Sequence, residues 1–329
     1  MVSPDCNTVL SAVNLLDSGS SDRKRIADSL NISVSSAGKL AAFLISEEIA
    51  TEYTYKSKAP GRQSKILRLN NDPVFAIANI TPKHIVTEFF GYCLNICTTD
   101  YFKIHDPLFI DDSFSLYFRL IERMMPSLRG ICLVSNGTPS NGSFIRSDIQ
   151  GLDGLPLVSI ASEHLHNKTV SLENRAFFCL DDTDGLSASI LDNDGDVKIS
   201  LVYNGTLISG SRITNDNLNR IKDRYGRSIT SRLRYSHDFR EYVSAVAELF
   251  CHVICIAEPD RIFFSSDRYL SLNEIAKLVT ESLIKDHRFF LNELPQIICT
   301  KDKFDTSLRK LRIKMRNDHI LSKFNSTVK

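Results

Sequence analysis

Three serines and a lysine crowd the front of one expected helix: Ser33, Ser35, Ser36 and Lys39. Hydroxyl and ammonium groups in that place suit hydrogen bonding to phosphate oxygens and base edges rather than proton transfer. Further along, Lys56, Lys58, Arg62, Lys65 and Arg68 fall in a segment, 56–69, that contains no acid. Concentrated positive charge of this kind attracts a phosphate backbone.

The surrounding elements would hold these groups in place. Leu10, Val13 and Leu16 recur at helical spacing, so Thr8 to Leu16 is expected as a helix. Asp17-Ser18-Gly19-Ser20-Ser21 breaks it and offers caps to a second helix, Ser20 to Leu30. Asn31-Ile32-Ser33 reads as a turn, and Ser33 as the cap of a third helix, Val34 to Glu47. There Ala37, Leu40 and Leu44 form the buried stripe, leaving Ser35, Ser36 and Lys39 on the other side. Gly38 costs about 1 kcal/mol at a mid-helix position; close backbone approach or simple tolerance would account for it. Pro60-Gly61 marks a hairpin tip, with Ile66 to Leu69 returning. This is the outline of a winged helix-turn-helix over residues 1–70. In it Ser33, Ser35, Ser36 and Lys39 would face double-stranded DNA, and Lys58, Arg62 and Lys65 would hold phosphate or the minor groove.

Other reactive side chains point to less. Cys93 and Cys97, and Cys251 and Cys255, lack the tight spacing of zinc ligands. The apolar neighbours of the second pair suggest buried helix thiols. His164 and His166 would need a third ligand. Asp192, Asp194 and Asp196 flank Gly195 but lack the terminal Glu of a calcium loop, so a hairpin turn is expected. No metal and no cofactor is expected.

The chain has 329 residues, a net charge of +1, 43% hydrophobic and 24% charged residues, and eight scattered cysteines. That length allows two or three domains. Neither a signal peptide nor a membrane-spanning run is visible, and unpaired cysteines suit a reducing cytoplasm. Beyond the linker Asn70-Asn71-Asp72-Pro73, strands alternate with helices, which implies an α/β domain over 71–329. Strands are expected at Val74 to Ile80, His84 to Tyr92, Gly130 to Val134, Asn167 to Leu172, Val197 to Tyr203 and Arg261 to Phe264. Helices are expected at Asp111 to Met125, with Leu116, Leu120 and Met124 at helical spacing, and over 174–180. Two more are expected at Tyr242 to Ile256 and Leu272 to Ile284. In the basic C-terminal run Leu308, Leu311 and Met315 would pack a final helix. Arg309, Lys310, Arg312, Lys314 and Arg316 would then form its solvated face.

The order of motifs resembles the repressor branch of the ROK family (repressors, open reading frames and sugar kinases). Arg25 to Ser33 is similar to its helix-turn segment, and Ser35-Ser36-Ala37-Gly38-Lys39-Leu40 to the start of its recognition helix. Gly61-Arg62-Gln63 with Ile66 to Asn70 is similar to its Gly-Arg-Pro wing, with Gln63 in place of proline. Leu172-Glu173-Asn174-Arg175-Ala176 resembles the family's Glu-Asn-Asp segment, and Glu258 to Ile262 its Pro-Glu-x-Ile strand.

The resemblance implies an actin-like, two-lobed sugar-kinase fold after the winged helix. It also implies that kinase chemistry is lost. Arg175 replaces the catalytic Asp, and arginine cannot accept a proton. Asn79-Ile80-Thr81 replaces the Asp-x-Gly phosphate hairpin, and Ser265-Ser266 replaces the Gly-Gly nucleotide loop. The Cys-rich zinc loop is missing. The implied protein is a DNA-binding regulator with no catalytic residue and a degenerate domain serving a homodimer or higher oligomer. Asn136, Glu173 and Asn174 are weak candidates for a retained sugar effector. An active kinase and a protein-interaction module are the rivals.

Overall fold

The computed structural model describes residues 5–55, 64–104, 106–135, 137–145, 147, 149–174, 184–193, 196–204, 206–208, 215–223, 225–266, 272–286, 294–299 and 303–327. Lys58 and Arg62 lie outside them, as do Asn136, Arg175 and the rest of the expected helix after Asn174. Contacts divide the chain into two units. One comprises Met1–Leu133, Ile149–Leu172 and Leu311–Lys329, the other Val134–Asp148 and Glu173–Lys310. Residues 1–70 therefore share a unit with part of the α/β region.

In the first unit, helix α1 (Cys6–Asp17) starts where the Asp5 carboxylate accepts the Thr8 amide at 2.7 Å, and it buries Val9, Ala12, Val13 and Leu16. Ser21 and Asp22 were expected to be helical. They form instead a two-residue strand β1 (Ser21–Asp22), and the Asp22 side chain caps helix α2 (Arg23–Leu30) by accepting from the Arg25 amide at 2.8 Å. A carboxylate at the cap position requires an extended backbone there, which moves the helix start inward. The turn comes at Asn31, left-handed at φ 51. Helix α3 (Val34–Ser46) is next, and then strands β2 (Ala50–Tyr55) and β3 (Ser64–Leu69). The three strands form one antiparallel sheet in the order β1-β3-β2, with Tyr53 opposite Ile66.

Strands β4 (Phe75–Ile80) and β5 (His84–Phe90) pair antiparallel as the sequence suggests. Strand β6 (Ile96–Lys103) was not foreseen: it is mostly exposed and shows no clear alternation of apolar residues. Helix α4 (Ile110–Met124) rests on Ile110, Phe114, Tyr117, Phe118 and Ile121. The Tyr117 hydroxyl pairs with Thr87 Oγ1 at 2.8 Å. Leu116, Leu120 and Met124 share a helical spacing but stay 44%, 37% and 46% exposed. The aromatic stripe beside them offers more apolar area and takes the buried side.

Strand β7 (Gly130–Ser135) joins the sheet of β4, β5 and β6, and β8 (Thr138–Ser140) pairs with β9 (Ser143–Ile145). Helix α5 (Leu157–His164) precedes β10 (Thr169–Asn174), so the sheet order is β10-β7-β4-β5-β6.

The second unit is built on β11 (Leu186–Asn193) and β12 (Asp196–Tyr203), an antiparallel hairpin, with β13 (Thr206–Leu207) beside β12. Helices α6 (Asn215–Arg220), α7 (Ile229–Tyr235) and α8 (Phe239–Ala257) come after them in sequence. Ten α8 residues are buried, Leu249, Phe250 and Val253 among them. Of the thiols expected to be buried there, Cys251 is and Cys255 is exposed. Strands β14 (Arg261–Ser266) and β15 (Gln296–Cys299) run parallel to β11 and to each other, with α9 (Leu272–Asp286) between them in sequence.

Helix α10 (Lys303–Thr327) ends the fold, and its residues from Leu311 onward belong to the first unit. Leu308 and Leu311 are buried as expected, but so are Arg312 and Arg316, at 9% and 1% exposure. Their place on the solvated face is thus corrected. Arg316 donates to the Tyr92 carbonyl at 3.2 Å and to Asn14 Oδ1 at 3.0 Å, and pairs with Asp17 at 3.4 Å. Arg312 donates to the Leu94 carbonyl at 2.9 Å. Carbonyls and a carboxylate that satisfy a guanidinium let it be buried.

Candidate functional site

Helix α3 is arranged as its sequence suggests. The Ser33 hydroxyl accepts the Ser36 amide at 3.0 Å and meets the Ser36 hydroxyl at 2.9 Å. Ala37, Leu40, Ala41 and Leu44 face inward, which turns Ser33, Ser35, Ser36 and Lys39 to solvent together with Val34, 60% exposed. The partial positive charge of a helix start gathers here, with the Ser36 amide capped by Ser33. A Cβ added to Gly38 would meet nothing within 4 Å, so no packing within the protein demands glycine there.

The hairpin is less purely basic than its own sequence. Glu52, on β2, accepts from Lys65 at 2.9 Å and from Arg23 at 2.7 Å. The hydrogen bond from Lys65 and the nearby Arg23 charge hold the Glu52 carboxyl below its ordinary range against the cost of burial. Lys65 remains exposed but is engaged by this carboxylate. Arg68 lies over the Tyr53 ring at 5.7 Å. Lys24 and Arg25, at the start of α2, are exposed cations that residue spacing did not single out. Their position in the first turn of α2, just after the Asp22 cap, is the available sequence signal.

The positions tied to sugar-kinase chemistry have other occupations. Ser265 and Ser266 were expected in a loop; both sit at the end of β14, 6% and 2% exposed. Ser266 lies opposite Asp192 in the parallel register. The Tyr242 hydroxyl donates to Asp192 Oδ2 at 2.6 Å and lies 2.8 Å from Ser266 Oγ, which is itself 3.3 Å from the same carboxylate oxygen. Asp192, beside the turn of the β11–β12 hairpin that the sequence suggests, is fully buried; a carboxylate with hydroxyl donors can be. Asn174 is 8% exposed, and its amide donates to the Gly137 carbonyl at 2.9 Å. Glu173, beside it on β10, is half-buried. Ser135, fully buried, has a hydroxyl with no hydrogen-bond partner among the described residues. In the other unit, Asn79 Oδ1 is likewise buried and unpartnered.

His164 is half-buried and His166 exposed, and among the described residues no cluster of His, Cys, Asp or Glu could hold a metal ion. Among them, too, no helix is long and apolar enough to cross a membrane.

No known family's sequence pattern matches the chain, and no curated protein matches it. Solved structures do. A ROK family transcriptional regulator, described as a homologue of the E. coli Mlc protein, aligns at a TM-score of 0.61 and 12% identity, over 97% of this chain and 99% of its own. A ROK family protein from Streptococcus pneumoniae, in complex with sucrose, aligns at 0.57 and 12% identity, over 74% of this chain and 98% of its own. A Cytophaga hutchinsonii protein with a provisional sugar-kinase assignment aligns at 0.57 and 11% identity, over 73% and 98%. The two shorter relatives match about three quarters of this chain, whereas the regulator spans nearly all of it. At such identities the likeness is one of fold, and over almost its entire length this chain has the mixed α/β fold of a ROK family transcriptional regulator.

Proposed function

We propose that this protein is a DNA-binding transcriptional regulator whose ROK-like domain has no kinase activity. The observation behind the reading is the outward face of α3, where Ser33, Ser35, Ser36 and Lys39 are exposed over a fully buried apolar stripe. Residues 1–70 act as a winged helix-turn-helix, with α3 entering the major groove and the hairpin contributing Lys58, Arg62 and Lys65 to phosphate or the minor groove. Residues 71–329 form a two-lobed, actin-like platform for a homodimer, which paired half-sites require. The protein works in the cytoplasm.

Loss of kinase chemistry rests on Arg175 at the expected base position and on the Tyr242–Asp192–Ser266 network where a glycine loop would meet nucleotide. Selection of duplexes from a random pool by the purified full-length protein tests the reading. A recovered preferred sequence is expected, and failure to enrich any sequence would sink it. ATP-dependent phosphorylation of glucose or N-acetylmannosamine would sink the inactive-domain part alone.

The reading that retains a sugar effector has one observation in its favour, the unpartnered buried Ser135 hydroxyl. A sugar hydroxyl would satisfy it. A screen of sugars for thermal stabilisation, lost in Ser135→Ala, decides.

A further inference from the structure

Cys93 and Cys97 converge on a single linker residue. Strand β5 ends at Phe90, and the chain reverses over residues 91–95, with Leu94 left-handed at φ 61 and its amide bonded to the Gly91 carbonyl at 3.1 Å. Strand β6 then opens with a bulge. Phe90 pairs with Ile96 and Phe89 with Thr98, so Cys97 is the extra residue. A bulge re-aims its side chain. The Cys97 thiol donates to the Asn71 carbonyl at 3.0 Å and lies 3.8 Å from Asn71 Oδ1. Cys93, in the turn, donates its thiol to that same Oδ1. Asn95 also touches both sulfurs, its amide 3.6 Å from Cys93 and its carbonyl 3.6 Å from Cys97. Both sulfurs therefore stand within 4 Å of one oxygen.

Asn71 belongs to the link between the N-terminal hairpin and β4. The neighbouring Asn70 donates its amide to the Ile49 carbonyl at 2.9 Å and accepts the Tyr92 amide at 2.9 Å. A Cβ on Gly91 would stand 2.6 Å from the Asn71 backbone, so the turn and the link lie in direct contact. The same turn receives Arg312 and Arg316 from α10.

We propose that Cys93 and Cys97 are a reversible thiol–disulfide site that takes oxidising equivalents from a low-molecular-weight disulfide such as glutathione disulfide. The exposed Cys97 attacks one sulfur of the oxidant as its thiolate, and one glutathione leaves. Cys93 then attacks the Cys97 sulfur, forming the protein disulfide and releasing the second glutathione. The two cysteines lose two electrons and two protons, and the oxidant gains them. Both S–H donors disappear, so Asn71 loses its bonds to the turn. Partial desolvation of its sulfur by the turn and the adjacent Cys93 raise the Cys97 thiol above its ordinary value, although the residue as a whole is exposed. Exchange is therefore slow at neutral pH, and the pair follows the redox poise of its surroundings. Its effect on DNA affinity rests on the regulator reading above; the disulfide itself does not.

The test equilibrates full-length protein with graded glutathione and glutathione disulfide, traps thiols by alkylation, and maps peptides by mass spectrometry. A Cys93–Cys97 bond is expected, absent from Cys97→Ser and Cys93→Ser. With the preferred duplex, oxidation should weaken binding about tenfold, reversibly, and leave Cys97→Ser unaffected. Glutathione remaining on Cys97 without a Cys93–Cys97 bond would overturn the proposal. So would a bond that changes neither DNA affinity nor amide exchange at residues 70–72. If neither form binds DNA, the regulator reading fails by itself. Amide exchange at 70–72 then decides the thiol–disulfide proposal: faster exchange on oxidation upholds it, and equal exchange overturns it.

Discussion

Lys39 and Arg62 are expected to act differently, and that difference makes the DNA reading testable residue by residue. Lys39 is exposed beside the capped start of α3. Lys39→Ala should cost about 1–3 kcal/mol at the preferred site and little elsewhere, if it reaches a base edge. Arg62, placed at the wing tip by sequence, should contribute phosphate contact. Arg62→Ala should weaken all duplexes alike and lower the salt slope by about one. Titrations at several salt concentrations separate the two; silence in both variants removes the assignment.

His319 gives a prediction of another kind. It lies against the rings of Phe75 and Tyr92, with Nε2 buried and without a hydrogen-bond partner among the described residues. Burial first, then Arg129 and Lys323, push its pKa down to about 4. The unfolded chain takes up a proton near pH 6.5 that the folded chain refuses until about pH 4. Stability should therefore fall as pH drops through that window, by roughly 1–2 kcal/mol after solvent screening. Melting curves at pH 7 and pH 5 should converge in His319→Phe. An unchanged acid slope would refute the assignment.

At the scale of elements, two substitutions separate local preference from packing. Gly38 lies inside α3 with open space where a side chain would go. Gly38→Ala should raise stability by about 0.5–1 kcal/mol in denaturant unfolding. A loss of stability would show that the helix needs glycine for reasons of its own conformation. Tyr242 fastens α8 to the ends of β11 and β14 through Asp192 and Ser266. Tyr242→Phe keeps the ring but withdraws a donor from a buried carboxylate, at a cost of about 1–3 kcal/mol. A near-neutral result would mean that Asp192 is satisfied without it.

For the whole molecule, the prediction concerns paired reading. A homodimer with two-fold symmetry should prefer two inverted half-sites about one helical turn, or a multiple, apart. Inserting half a turn between them should abolish the tighter binding. Sedimentation of the free protein should show a dimer or larger assembly. A monomer that binds single half-sites equally well would sink the platform role.

What the sequence determined by itself was periodic or capped. The helices α1, α3, α8 and α9, the hairpin β4–β5 and the exposed set on α3 all come from residue spacing, because a 3.6 or 2 residue repeat sorts side chains before any partner is known. The order of motifs also pointed to the fold over the full length. Tertiary structure alone decided where spacing was silent. It buried Arg312 and Arg316 by supplying carbonyls from the 91–95 turn. It chose the aromatic stripe of α4 over Leu116, Leu120 and Met124. It set Glu52 against Lys65 and Arg23, hid Asp192 behind Tyr242, and brought Cys93 and Cys97 to Asn71. Each is a pairing between residues distant in sequence or re-aimed by a bulge. The worth of a charge, a thiol or an apolar face depends on the partner that folding brings to it.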